Sequence, residues 1–170
     1  MLNLSGIISD SIVDGPGIRV TVFAQGCPHH CQGCHNPETW EFGCGTKVTE
    51  GQVLAEIMKN PLCRGVTFSG GEPLLQSGFL FDCLKRLKGE LHTAIQTSGM
   101  RDLHTFKKAL SLADYFLYDL KLLNEEKHKK FTGVSNGVIK QNFLHLVNTN
   151  KDFVVRIPLI PTVTDTEENI

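Results

Sequence analysis

The sequence predicts an α/β fold built on a parallel sheet with right-handed crossovers, either open or curled into a barrel. Three observations predict it. Short runs rich in β-branched and aromatic residues alternate with amphipathic stretches at helical spacing. Polar, glycine-rich motifs close one strand after another, at the edge where parallel α/β proteins bind ligands. Three of the six cysteines crowd into the eight residues Cys27-Pro-His-His-Cys31-Gln-Gly-Cys34, directly after the first strand of this pattern.

Each element has its own signal. Ile18–Gln25 is a β-branched strand running straight into the cysteine loop. Thr49-Glu-Gly-Gln52 reads as a capping box, with Val53, Leu54, Ile57 and Met58 following at helical spacing. Gly65–Phe68 is a short buried strand that ends in Ser69-Gly-Gly-Glu-Pro73. A helix is expected over Gly78–Leu87, with Phe79, Leu80, Cys83, Leu84 and Leu87 inward. His92–Gln96 is the third strand, closed by Thr97-Ser-Gly99, and Leu103, Phe106 and Leu110 mark the next helix. Tyr115–Leu120 is the fourth strand, ending at Asp119-Leu-Lys121, and a helix over Val138–Val147 leads to a fifth strand, Phe153–Ile160. Thr164-Asp-Thr-Glu-Glu168 resembles a helix start, so the chain is expected to be one domain over residues 1–170 with a further C-terminal unit missing.

Composition narrows the class. The 170 residues suffice for one substantial core, and 41% hydrophobic with 21% charged residues is the balance of a globular chain. With 17 basic against 18 acidic residues there is no electrostatic signature of nucleic acid or an anionic membrane. No apolar run is long enough to span a bilayer, and Met1-Leu-Asn-Leu-Ser-Gly6 lacks the regions of a secretory signal. A cytoplasmic location is therefore expected. In that compartment clustered cysteines point to metal or catalysis rather than to disulfides. Cys44, Cys63 and Cys83 are widely spaced and read as inert thiols.

The spacing CxxxCxxC has no fourth cysteine beside it. A structural zinc site or a fully ligated cubane takes four protein ligands. Three thiolates on a four-iron cluster leave one iron open to a further ligand. The alternative is zinc held by the three cysteines with His29, His30 or His35. Pro28 stiffens the loop, and Gly26 and Gly33 allow it to fold tightly.

Together with Gly70-Gly71-Glu72 after the second strand, the cysteine loop resembles the radical S-adenosylmethionine (SAM) superfamily. More narrowly, Asp14-Gly-Pro-Gly-Ile-Arg19, Gln25-Gly-Cys27, Cys34-His-Asn-Pro37 and Trp40 resemble the glycyl-radical-enzyme activating enzymes, on the pyruvate formate-lyase side. The resemblance runs from Ile7 to the last residue, and its motifs are specific in combination. It implies a partial (β/α)6-type radical SAM barrel with a curled parallel sheet, about five strands present and the C-terminal unit missing. It implies a [4Fe–4S] cluster on Cys27, Cys31 and Cys34, with SAM on the open iron. Reductive cleavage of SAM would give methionine and a 5′-deoxyadenosyl radical, which takes a hydrogen from a glycine of a partner glycyl-radical enzyme. The electron would come from a donor such as flavodoxin or ferredoxin.

The site residues follow from the same resemblance. Gly70, Gly71 and Glu72 match the motif that receives the SAM amino group, and Thr97 and Ser98 a polar pair reaching its ribose or methionine part. Asp119 and Lys121 match an Asp-x-Lys at the strand mouth, with Lys121 toward the SAM carboxylate. Arg156 is expected to be a buried arginine that finds its anion in SAM, because an unpaired buried charge is expensive. Asn36 supports the cluster from behind, and Asp14 meets the partner's glycine loop or serves its own turn.

Departures from the pattern are equally definite. Gly33 stands where many relatives carry an aromatic residue, and Gln96 where an aspartate helps bind a monovalent cation, so no such cation is expected. Pro158 and Thr162 also differ. Between Trp40 and Gly70 lie only Cys44 and Cys63, which leaves no room for a ferredoxin-like insert and implies a single cluster. Two other readings remain: the activator of anaerobic ribonucleotide reductase, and a non-catalytic metal-binding module or inactive fragment.

Overall fold

A computed structural model describes residues 1–170. Its seven strands are β1 (Leu2–Ser11), β2 (Arg19–Ala24), β3 (Thr46–Val48), β4 (Gly65–Gly70), β5 (His92–Thr97), β6 (Tyr115–Asp119) and β7 (Asp152–Arg156). The helices are α1 (Glu50–Ile57), α2 (Ser77–Leu87), α3 (Leu103–Leu112), α4 (Glu125–Thr132) and α5 (Gly137–Val147). All strands join one sheet in the order β3-β1-β2-β4-β5-β6-β7, curled as a partial barrel. From β2 to β7 every pairing is parallel, as the strand–helix alternation requires.

Parallel register puts Val22, Phe68, Ile95, Phe116 and Phe153 side by side on one face. They meet Val53 and Ile57 of α1, Leu80 and Leu84 of α2, Phe106 and Ala109 of α3, and Ile139 and Leu146 of α5 in one continuous core. Removal of each of the larger side chains from water contributes about 1.5–3 kcal/mol. Alternation then sends Thr21, Thr67, Ser69, Gln96 and Asp119 to the opposite, inner face. The polar inner wall is thus a by-product of the apolar outer one.

Arg19, at 0% exposure, pins the lower end of this wall. Its Nε donates to Thr67 Oγ1 (2.7 Å), its Nη1 to Pro16 O (2.9 Å), and its Nη2 to Val66 O (2.8 Å) and His92 O (3.0 Å). Nη1 also lies 3.1 Å from His92 Nδ1. One guanidinium therefore ties β2, β4 and β5 to the Asp14–Arg19 turn. Gly65 leaves it the space, since a Cβ there would meet Arg19 Nη1 at 2.6 Å.

Three features differ from the sequence expectation. β1 and β3 are additional antiparallel strands, β1 beside β2 and β3 outside β1, and β1 is legible only weakly because its burial does not alternate. α4 was not expected, since its buried face carries only His128 and Thr132 rather than an apolar stripe. Residues after Ile160 form turns rather than a helix start: Thr164 Oγ1 caps back onto Pro158 O and accepts from Ile160 N at 2.7 Å. The last strand stops at Arg156 because Pro158 has no amide to continue the ladder. No helix is long and apolar enough to cross a membrane.

Candidate iron–sulfur and SAM site

The cysteine loop leaves the C-terminal end of β2 and is clamped on three sides. Gly26 N donates to Thr39 O (2.8 Å) and Cys27 N to Trp40 O (3.1 Å). The side chain of Gln25 adds bonds to Glu38 O (2.8 Å) and Glu41 O (2.9 Å). On a second side, Glu72 N donates to Gly26 O (3.0 Å) and Gly71 N to Ala24 O (2.9 Å). That close passage explains both glycines: a Cβ on Gly70 would overlap the Ala24 backbone, and one on Gly71 the Gly26 carbonyl. On the third side, His30 N donates to Thr132 O (2.8 Å) and Gln32 N to Phe131 O (3.1 Å). These carbonyls belong to the last turn of α4, which Gly133 closes in the left-handed region at φ 84°.

Inside the clamp, Cys27 and Cys31 are buried and Cys34 is half-buried, all as free thiols. Burial pushes the Cys27 thiol up to about 12, and the Cys31 thiol is raised for the same reason. Lys121 acts against this on both, and reciprocally its own ammonium is held above the usual lysine value. Burial opposes the Lys121 charge, but Asp119 and then Cys31 outweigh it. Lys121 Nζ lies 3.4 Å from Asp119 Oδ2, and Arg156 Nε lies 3.8 Å from Asp119 Oδ1. Arg156 Nη1 also donates to Gln96 Oε1 (3.1 Å). A cation–anion–cation row therefore borders the thiols at the mouths of β6 and β7.

Arg156 corrects the expectation of a buried arginine. Its side chain is 38% exposed and its anionic partner is Asp119. The reason is position: β7 ends the sheet, so a side chain on its inner face reaches solvent.

Glu72 is 2% exposed and its carboxylate is fully engaged. Oε1 accepts from Thr97 Oγ1 (2.6 Å) and Leu74 N (3.2 Å), and Oε2 accepts from Ser98 Oγ (2.7 Å) and Ser98 N (3.0 Å). Burial nevertheless raises its pKa, only partly offset by these hydrogen bonds. Thr97 and Ser98 are thus turned onto Glu72 and join β4 to β5. Asn36 supplies its carbonyl to Thr39 N (3.0 Å) and Thr39 Oγ1 (2.7 Å), and its side chain makes no capping bond. Asp14 lies against the inner wall, where its Oδ2 accepts from Ser11 Oγ (2.6 Å) and Thr21 Oγ1 (2.9 Å). The structure thereby gathers the cysteines, the glycine pair, Asp119, Lys121 and Arg156 at one edge, and sets Asp14 lower in the barrel.

Sequence reasoning named His29 only as a possible zinc ligand and missed its packing against His128. His29, 2% exposed, places Nδ1 3.8 Å from Cys27 Sγ and packs edge-on to His128, ring centroids 6.3 Å apart. Burial, with Lys121 adding to it, drives the His29 pKa down to about 3, so the ring is neutral. The signal available was the unusual placement of a histidine between two cysteines, read as one of three zinc-ligand options.

The donor set fits a cluster better than a single ion. No three His, Cys, Asp or Glu side chains converge closely enough to hold one metal ion. A cubane spreads its thiolates over separate irons. Buried thiols with raised pKa values lose their protons readily only to a metal, which a neighbouring cation such as Lys121 assists.

Known proteins agree with this chemistry. The family described as a 4Fe-4S single cluster domain matches residues 13–150. The pyruvate formate-lyase-activating enzyme of Clostridium pasteurianum is 37% identical, covering 100% of this chain and 74% of its own. The 4-hydroxyphenylacetate decarboxylase activating enzyme of Clostridioides difficile is 32% identical, over 98% of this chain and 76% of its own. Among solved structures, a domain of the pyruvate-formate lyase-activating enzyme from Bacteroides vulgatus superposes with a TM-score of 0.57 at 36% identity. That match covers 62% of this chain and 66% of the other, so the chain spans about two thirds of that structure and three quarters of the first two relatives. The chain belongs to the glycyl-radical-enzyme activating enzymes of the radical SAM superfamily, oxidoreductases whose cofactors are a [4Fe–4S] cluster and S-adenosylmethionine.

Proposed function

We propose that the chain activates a glycyl-radical enzyme of the pyruvate formate-lyase type, drawing its electron from a flavodoxin or ferredoxin. The observation that carries the reading is three free thiols on one clamped loop, bordered by the Lys121–Asp119–Arg156 row. When bound, the reduced cluster and SAM supply methionine and a 5′-deoxyadenosyl radical, which removes a hydrogen from a glycine of the partner.

The protein's task is placement. Cys27, Cys31 and Cys34 would hold the cluster, and the loop's backbone clamp fixes them relative to β4 and α4. Lys121 and Arg156 offer positive charge to the SAM carboxylate, with Asp119 orienting both. The backbone carbonyls at Gly70 and Gly71 would receive the SAM amino group. Glu72 keeps that turn in shape through Thr97 and Ser98, so those three act on SAM through the backbone. Asn36 stands behind the cluster, and Asp14 is the residue proposed to meet the partner's glycine loop.

The test is anaerobic reconstitution with iron and sulfide, reduction, and addition of SAM. The expected products are 5′-deoxyadenosine and methionine, with a changed EPR signal of the cluster. Cys31→Ala abolishes both signals, whereas Cys83→Ala, in the core on α2, leaves them. A cluster indifferent to SAM, or no cluster, refutes the reading. Addition of pyruvate formate-lyase should then produce a glycyl-radical doublet.

A further inference from the structure

His29 is unexplained by packing. Its ring lies 2% exposed, and its Nε2 is buried with no hydrogen-bond partner. Its only polar neighbour of hydrogen-bonding kind is Cys27 Sγ, 3.8 Å from Nδ1. An orphaned buried nitrogen costs stability, and a leucine or methionine of similar size would avoid that cost. A buried polar ring held at a net cost beside a metal-ligating sulfur invites a role in the sulfur's chemistry rather than in the core.

We propose that His29 donates an Nδ1–H hydrogen bond to the Cys27 thiolate once the cluster is bound, and so makes the cluster easier to reduce. The proposal rests on the cluster assignment of the preceding subsection. A thiolate on iron has no proton, so it can only accept, and the imidazole nitrogen facing it must carry the hydrogen. With the hydrogen on Nδ1, Nε2 bears the lone pair, in keeping with a buried position that offers it no donor. His128 cannot compete for that hydrogen through its own Nδ1, which is engaged with Val134 O at 2.8 Å. The edge-on contact between the two rings, with centroids 6.3 Å apart, instead holds His29 in place.

The sign follows from charge. Reduction adds an electron to the cluster and increases the negative charge on its sulfurs, which strengthens any hydrogen bond they accept. A donor to Cys27 therefore stabilises the reduced form more than the oxidised one, one of the known levers on iron–sulfur potentials. His29 acts through Cys27, as a positioning residue, and touches neither SAM nor the partner.

The experiment is an EPR-monitored redox titration of the reconstituted full chain, as wild type, His29→Leu and His29→Asn. Asparagine returns an N–H near the position of Nδ1; leucine fills the space without a donor. At a fixed applied potential, His29→Leu should lower the ratio of reduced to oxidised cluster by about three- to tenfold, at most about 59 mV for a one-electron couple. His29→Asn should recover most of it. A ratio unchanged in His29→Leu, or lowered equally in both variants, overturns the proposal.

A second measurement covers the case in which His29→Leu takes up no iron. In wild-type protein labelled with histidine that carries ¹⁵N only in its imidazole ring, pulsed EPR of the reduced cluster should detect ¹⁵N coupling that disappears in equally labelled His29→Asn. Absence of that coupling from the wild type, or its persistence in the variant, also overturns it. A wild type that assembles no cluster removes both this inference and the function reading, whereas an unchanged potential removes this inference alone.

Discussion

Replacement of Arg19 by lysine separates the stability of the barrel from the chemistry of its upper edge. The guanidinium spreads its donors over Thr67, Pro16, Val66 and His92, across three strands and a turn. A lysine ammonium is a single point with three hydrogens and cannot span that fork. At least two buried acceptors lose their donor, and each loss to a charged donor costs about 1.5 kcal/mol, so about 3 kcal/mol in all. For a chain of this length, thermal unfolding should fall by about 6–12 °C. The assay is circular dichroism melting of the apo protein, with iron uptake measured at low temperature. Iron uptake should persist, because the cysteine loop is clamped by Thr39, Trp40, Gly71 and α4 rather than by Arg19. A melting temperature within about 1 °C of the wild type would refute the claim that this residue pins the strands. So would a loss of iron uptake without a loss of stability.

Two further outcomes follow from individual side-chain contacts. Gly99 sits at φ 74°, and a Cβ on it would overlap the hydroxyl of Tyr118, which itself donates to Ile139 O at 2.6 Å. Gly99→Ala should cost about 1–3 kcal/mol, and the double variant with Tyr118→Phe should be less destabilised than the sum of the singles in denaturant titration. Asp114 contributes a pH dependence. Its Oδ2 accepts from Thr93 N (2.8 Å) and Thr93 Oγ1 (2.8 Å), and although burial opposes its charge, these bonds hold its pKa below the ordinary value. A depressed carboxylate binds fewer protons in the folded state, so its contribution is present above about pH 4 and is lost as the pH falls below that. Asp114→Asn should flatten that part of the stability profile, measured by urea titration from pH 6 to 3.

The parallel half of the sheet was legible because the rule that makes it is local. Val20, Val22, Val66, Phe68 and Ile95 announce strands, and the glycine-rich motifs announce where those strands end. The antiparallel annex of β1 and β3 was not, since its side chains are partly exposed on both faces and give no period. α4 escaped for the same reason: its role lies in its terminal carbonyls, which no side-chain pattern reports. In the site, the cysteine cluster could be read from its spacing, and Asp119 and Lys121 from their match to the family's Asp-x-Lys. The partners of Glu72, Arg156 and His29 could not, because Thr97, Asp119 and Cys27 reach them only through the curl of the sheet and loop. Arg19 shows the opposite case. Its motif marked the family, but only the structure shows a strut under three strands.

The sharing of amides between the cysteine loop and α4 has a consequence for metal uptake. His30 and Gln32 saturate the carbonyls of Thr132 and Phe131, which a free helix end would leave to water. These two bonds couple the order of the loop to that of the helix end. Fixing a backbone residue costs about 1–2 kcal/mol of conformational entropy, and the docking of α4 sets part of that cost against the bonds it makes with the loop. The amides of His30 and Gln32 are therefore where hydrogen exchange would register the docking of α4 on the loop that carries the cluster ligands.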